Sequence, residues 1–236
     1  MITSDKDKPY ELDIKEFIIQ NPQLFNAPEP STIVFEKALS EFNVIADALI
    51  FSHQYGIIGI EIKTEHDTTK RLRKQLSAYK HIANEVYVLI HISQAKKVKE
   101  ILAMDRNETV GIISYAVFEG KITGVVEREA RVPKEFRPKY ILNVLWKEEL
   151  LAIYKTMSNP QLFKIASEDH YLSMYDSYST KVRHMRKTQL IVSLLREFNA
   201  LDVFDIVVDM FVYQNMSPDK PLTYYKFAKE KSDERS

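Results

Sequence analysis

Two acids and a lysine lie on neighbouring β-type runs in the first third of the chain. Asp47 lies in an apolar run, residues 44–51, where burying a carboxylate is unfavourable unless a cation or hydrogen-bond donors compensate it. Glu61 lies in a second run, residues 56–62, and Lys63 follows two positions later. Because side chains alternate across a strand, Glu61 and Lys63 project from the same face. Convergent carboxylates suit Mg²⁺ or Mn²⁺, and a lysine beside them can orient a water or stabilise charge on phosphorus.

The segment after Lys63 is predicted to be a helix, residues 68–83. Its apolar residues Leu72, Leu76 and Tyr79 recur at i, i+4 and i+7 and should pack onto a sheet. Gln75 would then point away from that packed face. We expect four basic residues near the start of this helix to grip phosphates that flank the reacting bond: Lys70, Arg71, Arg73 and Lys74.

These residues together resemble the signature of the PD-(D/E)XK nuclease superfamily, which includes restriction endonucleases and Holliday junction resolvases. The residues that carry the resemblance are Asp47, Glu61, Lys63, Gln75 and Tyr79. Residues 59–80, GIEIKTEHDTTKRLRKQLSAYK, are most similar to small bacterial and phage members whose corresponding stretch reads G-x-E-I-K-S, then D-T, R-L and Q-x-x-A-Y. The resemblance covers residues 30–155, with Ala46 standing where the superfamily's name has a proline.

The resemblance implies a role for each residue of the motif. Asp47 and Glu61 would hold the metal together with the Ile62 carbonyl, and Lys63 would orient or activate the attacking water. Gln75 would brace the site or the DNA backbone.

A fourth acid is expected upstream, and two residues are candidates. Glu36 lies in the apolar run IVFEKAL and is the preferred one, because a lone acid among apolar neighbours is expected to face a site. Glu16, on a predicted helix at residues 13–20, stays open as the alternative.

The order of predicted elements is βββαβαβ, which indicates an α/β fold with a mixed central sheet. The resemblance makes this sheet restriction-endonuclease-like, flanked by helices. The strand at residues 85–91 is apolar throughout, as is typical of a strand covered on both faces. We divide the chain into an N-terminal helix and linker (1–30), a nuclease core (31–140) and a helical C-terminal region (141–236), with a frayed tail from Lys226.

Composition limits the cellular setting and the partners. The chain of 236 residues has no cysteine, so disulfides and thiolate zinc sites are excluded and a reducing cytoplasm is expected. No apolar run is long enough to span a membrane. The 33 basic and 33 acidic residues cancel, so any contact with DNA must come from local patches. The helical C-terminal region is a candidate surface for a homo-oligomer.

The sequence therefore predicts a cytoplasmic, bacterial or phage DNA nuclease that needs Mg²⁺ or Mn²⁺. The alternative is a protein that keeps the nuclease fold but binds nucleic acid or another protein without catalysis. An intact set of Asp47, Glu61 and Lys63 favours the enzyme, because a binding module has no need of costly buried acids.

Overall fold

Seven strands of the described chain form one mixed sheet. The computed structural model describes residues 11–27, 31–157, 184–197, 199–213 and 224–227. The strands are β1 (Ser31–Leu39), β2 (Val44–Ser52), β3 (Gly56–Lys63), β4 (Glu85–His91), β5 (Gly111–Phe118), β6 (Lys121–Arg128) and β7 (Tyr224–Phe227). Their spatial order is β6-β5-β4-β3-β2-β1-β7.

The centre of the sheet is parallel and its two sides are antiparallel. Strands β3, β4 and β5 run parallel to one another, and every other neighbouring pair is antiparallel. Parallel neighbours need a crossover connection, and α2 (Leu72–Ile82) and α3 (Ala95–Met104) provide the two crossovers. After β3 the chain passes through residues 64–71, which end in a 3₁₀ turn (Thr69–Arg71), before α2 begins.

Helices cover both faces of the sheet. Helix α1 (Glu11–Gln20) packs on one face, together with a short 3₁₀ turn at Pro22–Phe25. The other face is covered by α2, α3 and the C-terminal helices. These C-terminal helices are α4 (Ile141–Val144), α5 (Lys147–Met157), α6 (Lys187–Glu197) and α7 (Ala200–Tyr213). None of the described helices has both the length and the apolar character that crossing a membrane would require.

The predicted elements of the core are confirmed, with small shifts at their ends. The strands predicted at 56–63 and 85–91 are β3 and β4, and β4 is buried on both faces, as its apolar sequence indicates. The expectation of a frayed tail from Lys226 was wrong at its start, because Lys226 and Phe227 belong to β7, which pairs with β1. Residues 228–236 lie outside the described residues.

A buried ion pair joins the sheet to the C-terminal helices. The Lys37 ammonium of β1 lies 2.6 and 2.7 Å from the two carboxylate oxygens of Glu149 on α5, and the two side chains are only 1% and 2% exposed. The ammonium also lies 4.1 Å from the centre of the Trp146 ring. Because both charges are desolvated, each depends on the other. The helices after residue 141 are thus tied to the strand that carries Glu36.

We expect Glu149→Gln to destabilise the protein by about 3–5 kcal/mol, because it leaves the Lys37 charge buried without a counter-ion. Urea denaturation followed by circular dichroism measures the loss. The exposed neighbour Glu148 provides the control, and Glu148→Gln should change the free energy of unfolding by less than about 0.5 kcal/mol. Equal losses in the two variants would contradict a dependence on the buried pair.

Candidate active site

Strands β2 and β3 separate at the position of the two predicted acids. Their last recorded backbone pair is Ala48 with Ile60, and the same register would set Asp47 opposite Glu61. The Asp47 carboxylate turns inward instead, and its Oδ2 accepts a hydrogen bond of 2.8 Å from the Ile62 amide. One carboxylate oxygen of Asp47 is thereby fixed by the backbone of β3.

The Tyr79 hydroxyl bridges the two strands where they separate. It accepts a hydrogen bond of 2.8 Å from the Asp47 amide and donates one of 2.9 Å to the Ile60 carbonyl. The ring reaches this place because Gly59 has no side chain. A Cβ on Gly59 would lie 2.4 Å from Cδ1 of Tyr79. A fully buried tyrosine of α2 thus holds the backbone of both acid-bearing strands.

Glu61 is fully buried beside Lys63, on the α2 side of the sheet. The Lys63 ammonium lies 2.5 Å from Glu61 Oε1 and 3.3 Å from the Gln75 side-chain oxygen, so Gln75 helps to hold the lysine. Glu61 Oε2 is buried and accepts no hydrogen bond. Buried polar atoms almost always have a partner, so an orphaned carboxylate oxygen needs an explanation.

Burial raises the pKa of both acids. Burial, and then the negative charge of Asp47, raises the pKa of Glu61 from 4.5 to about 8. Burial also raises the pKa of Asp47, although the Ile62 amide and Lys63 oppose the shift. Burial and the same two carboxylates hold the pKa of Tyr79 well above its usual value. The site therefore holds more negative charge than its own donors compensate.

A cavity of about 310 Å³ opens above these residues. Asp47, Lys63, Gln75 and Ile62 contribute to its wall, so the structure brings together four of the predicted site residues. Glu61 lies behind that wall and is 0% exposed. Glu61 is linked to the cavity by its ion pair with Lys63 and by its charge interaction with Asp47.

The preferred fourth acid, Glu36, also lines this cavity. The register of β1 and β2 sets it between the pairs Phe35 with Ala48 and Lys37 with Ala46, which places it opposite Asp47. Its backbone is left-handed, with φ of 54°, which is uncommon for a residue with a side chain. Its carboxylate forms an ion pair with Lys15 of α1.

The alternative acid, Glu16, is exposed and does not line the cavity. Helix α1 contributes Glu11 instead, whose charge helps to raise the pKa of Asp47. It also contributes Lys15, which is only 8% exposed although it is charged. The sequence analysis did not single out Glu11 or Lys15. Their i, i+4 spacing was visible, but nothing local to α1 indicates that it packs beside β1.

The four predicted basic residues separate into different environments. Arg71 lines the cavity and has no hydrogen bond or ion pair within the described chain. Arg73 pairs with Asp105 at 2.7 Å, and Lys74 donates to the Asn43 carbonyl at 3.0 Å. Neither of these, nor the exposed Lys70, lines the cavity. The structure therefore points to Arg71 as the cation of this group nearest the predicted chemistry.

The acids fit a divalent cation that takes few protein ligands. Glu61 Oε2 lacks a partner, and Asp47 uses only Oδ2 in its bond to Ile62. In the described part of the chain, no three acidic, histidine or cysteine side chains converge as a closed metal cage. Mg²⁺ is commonly held by one or two carboxylates and otherwise by waters and phosphate, so this donor set matches its chemistry.

The fold and the cavity define an α/β protein with a mixed sheet and a polar cleft at the carboxyl end of β3. Residues 4–214 match the family model described as bacteriophage P4 protein cII, and the chain belongs to that family. No curated protein and no solved structure matches the chain. Membership agrees with the expected bacterial or phage kinship, and the family's description names no chemistry.

We expect Tyr79→Phe to lower the free energy of unfolding by about 1–3 kcal/mol, because the Asp47 amide and the Ile60 carbonyl both lose a buried partner. Urea denaturation measures the loss. Tyr55→Phe removes the same atom from an exposed residue and should have an effect below about 0.5 kcal/mol. If Tyr79→Phe is as stable as Tyr55→Phe, the hydroxyl bridge does not hold the strands.

We also expect stability to fall as Glu61 ionises. The unfolded chain loses this proton near pH 4.5 and the folded chain only near pH 8. Between these values the folded state binds more protons, so its free energy of unfolding falls as the pH rises. Glu61→Gln cannot ionise and should gain stability relative to wild type between about pH 5 and about pH 9, measured by urea denaturation.

An exposed carboxyl gives the control for this pH dependence. Glu108→Gln should keep the pH profile of the wild type, because Glu108 is exposed and away from the cleft. A stability difference between wild type and Glu61→Gln that stays constant across the range would show that Glu61 is already charged in the folded protein.

Proposed function

We propose that this protein is a metal-dependent DNA nuclease with a restriction-endonuclease-like core. Asp47, Glu61 and Lys63 form its reaction centre. The observation that carries the proposal is the buried Glu61 carboxylate with one orphaned oxygen, placed beside a lysine and across from a second acid. Such an arrangement is unfavourable for folding alone, because burial disfavours the charged carboxylates.

Each residue has a role that follows from its contacts. The Ile62 amide holds Asp47 Oδ2, so the other oxygen of Asp47 can bind a cation together with Glu61 Oε2. When bound, Mg²⁺ or Mn²⁺ would polarise the phosphodiester and activate water for attack. The Ile62 carbonyl is proposed as a further oxygen ligand, and Glu36 as an assisting acid on the cavity wall.

Lys63 and Gln75 complete the arrangement. A lysine ammonium has three donors, and Lys63 gives two of them to Glu61 and Gln75. The third is available to a phosphate oxygen or to the attacking water. Gln75 fixes the lysine through its side-chain oxygen, so the third donor has a defined direction. Charge that develops on the phosphate in the transition state would be stabilised by this held donor.

DNA as the substrate is supported by the cations around the centre. Lys63 and Arg71 line the same cavity as Asp47, and both have donors without partners in the described chain. Phosphate is the anion that a guanidinium binds with two parallel hydrogen bonds. Cleavage of a backbone phosphate would therefore use both kinds of charged residue in the cleft. The acids would hold the cation, and the bases would hold the phosphate.

Cleavage assays on the full chain test the proposal. Wild type should cut linear, circular or single-stranded DNA with Mg²⁺ or Mn²⁺ and should fail with EDTA. Asp47→Asn and Lys63→Met should each lower the rate by about a hundredfold or more, because each removes a group that acts on the reacting phosphate. Lys121→Met, on the exposed side of β6, should cut at the wild-type rate.

A thermal melt distinguishes a variant that no longer binds the cation from one that binds it but no longer cuts DNA. Mn²⁺ should raise the melting temperature of wild type and of Lys63→Met, because a ligand that binds only the folded state stabilises it. Asp47→Asn should show a much smaller rise. A folded wild type that cuts no DNA and melts at the same temperature with and without Mn²⁺ would support the alternative, a fold of this type that binds without catalysis.

A further inference from the structure

Helix α1 brings a nearly buried lysine into the cleft, although no sequence pattern predicted one there. Lys15 is 8% exposed and lines the cavity that also contains Asp47 and Lys63. Its ammonium lies 2.7 Å from Glu11 and forms an ion pair with Glu36. Two of its three donors are thus used, and one remains without a carboxylate partner.

Three cations of the cleft keep donors that have no partner in the described chain. Of its acids, Glu11 and Glu36 pair with Lys15, and Asp67 accepts hydrogen bonds of 2.8 Å from both the amide and the hydroxyl of Thr64. Lys15 and Lys63 each retain one donor, and Arg71 has no partner in the described chain. A cavity wall with unused cationic donors on three separate elements suits an anion with several charged oxygens.

The three cations come from three separate elements of the fold. Lys15 comes from α1, Lys63 from the end of β3, and Arg71 from the turn that precedes α2. All of them line one cavity of about 310 Å³, which is near the lower limit of about 300 Å³ for small-molecule pockets. A space at the small end of that range suits a single phosphodiester backbone.

Among the described residues, no aromatic side chain lines this cavity. Proteins that hold single strands by their bases stack them on aromatic rings, so the cleft lacks the means to read bases in that way. The charged residues that line it suit phosphates and a cation. Recognition inside the cleft would therefore be independent of sequence, since phosphate contacts carry no direct sequence information.

We infer that Lys15 and Arg71 bind the phosphates on either side of the one held at Lys63, so that the cleft takes the backbone of a single DNA strand. This inference rests on the proposed function for the identity of the strand. It adds Lys15, which belongs to no predicted patch. It also separates Arg71 from Arg73, which pairs with Asp105 outside the cleft.

Fluorescence anisotropy with labelled oligothymidylate tests the inference on the full chain. The reference protein is Asp47→Asn, Glu36→Gln in EDTA, which cannot cut and in which no Glu36 charge is released when Lys15 is changed. Adding Lys15→Met or Arg71→Gln should weaken binding several-fold. Each should also reduce the slope of log affinity against log salt by about 0.7, the value for one phosphate contact on a single strand.

Adding Arg73→Gln to the reference protein should leave the slope unchanged. An equal fall in the slope with Arg73→Gln would show a diffuse basic surface and would overturn the inference. No fall with Lys15→Met would show that Lys15 serves only to neutralise Glu36, which also overturns the inference. Circular dichroism confirms that each variant is folded. Unlabelled duplex should compete more weakly than the single strand, and the reverse order would contradict a cleft for one backbone.

The assay uses EDTA, so its outcome does not depend on cleavage. If the slopes fall as expected while wild type cuts no DNA with Mg²⁺ or Mn²⁺, the proposed nuclease is wrong and the strand-binding cleft stands. If wild type cuts DNA and the slopes do not change, the nuclease stands and the subsites are wrong.

Discussion

The burial of two carboxylates where β2 and β3 separate is the constraint on which the rest of the site depends. Continuous strands would pair backbone to backbone at Asp47 and Glu61 and leave no room between them. Separation frees the Ile62 amide, which then binds Asp47 in place of a backbone carbonyl. A side-chain hydrogen bond thus takes the place of a backbone hydrogen bond between β2 and β3. Asp47, which accepts it, becomes part of the cleft.

Helix α2 stabilises this separation from one side only. Tyr79 spans the gap with its hydroxyl, and Gly59 admits the ring against β3. The same helix carries Gln75, which holds Lys63 from one turn earlier. Spacing within a single helix therefore fixes two contacts, one that keeps the strands apart and one that orients the lysine. A shift of α2 along its axis would disturb both together.

Much of the core could be predicted from sequence because its signals are local. Alternation in β3 placed Glu61 and Lys63 on one face, and the apolar pattern of β4 indicated burial on both sides. Pairings between distant segments could not be read in this way. Lys15 meets Glu36 across 21 positions, and Lys37 meets Glu149 across 112. The β7 strand likewise depends on β1, some 190 residues away, and four residues are too few to predict its partner.

The charges of the cleft would make the proposed cation binding and strand binding interdependent. Four acids line it, Glu11, Glu36, Asp47 and Asp67, against three bases, Lys15, Lys63 and Arg71. Glu61 adds a fifth carboxylate behind the wall, with its pKa near 8. A backbone phosphate entering such a cleft meets a surplus of negative charge unless a proton or a divalent cation compensates it. Under the proposed function, the acids that would bind the cation would therefore also repel the strand until that cation has bound.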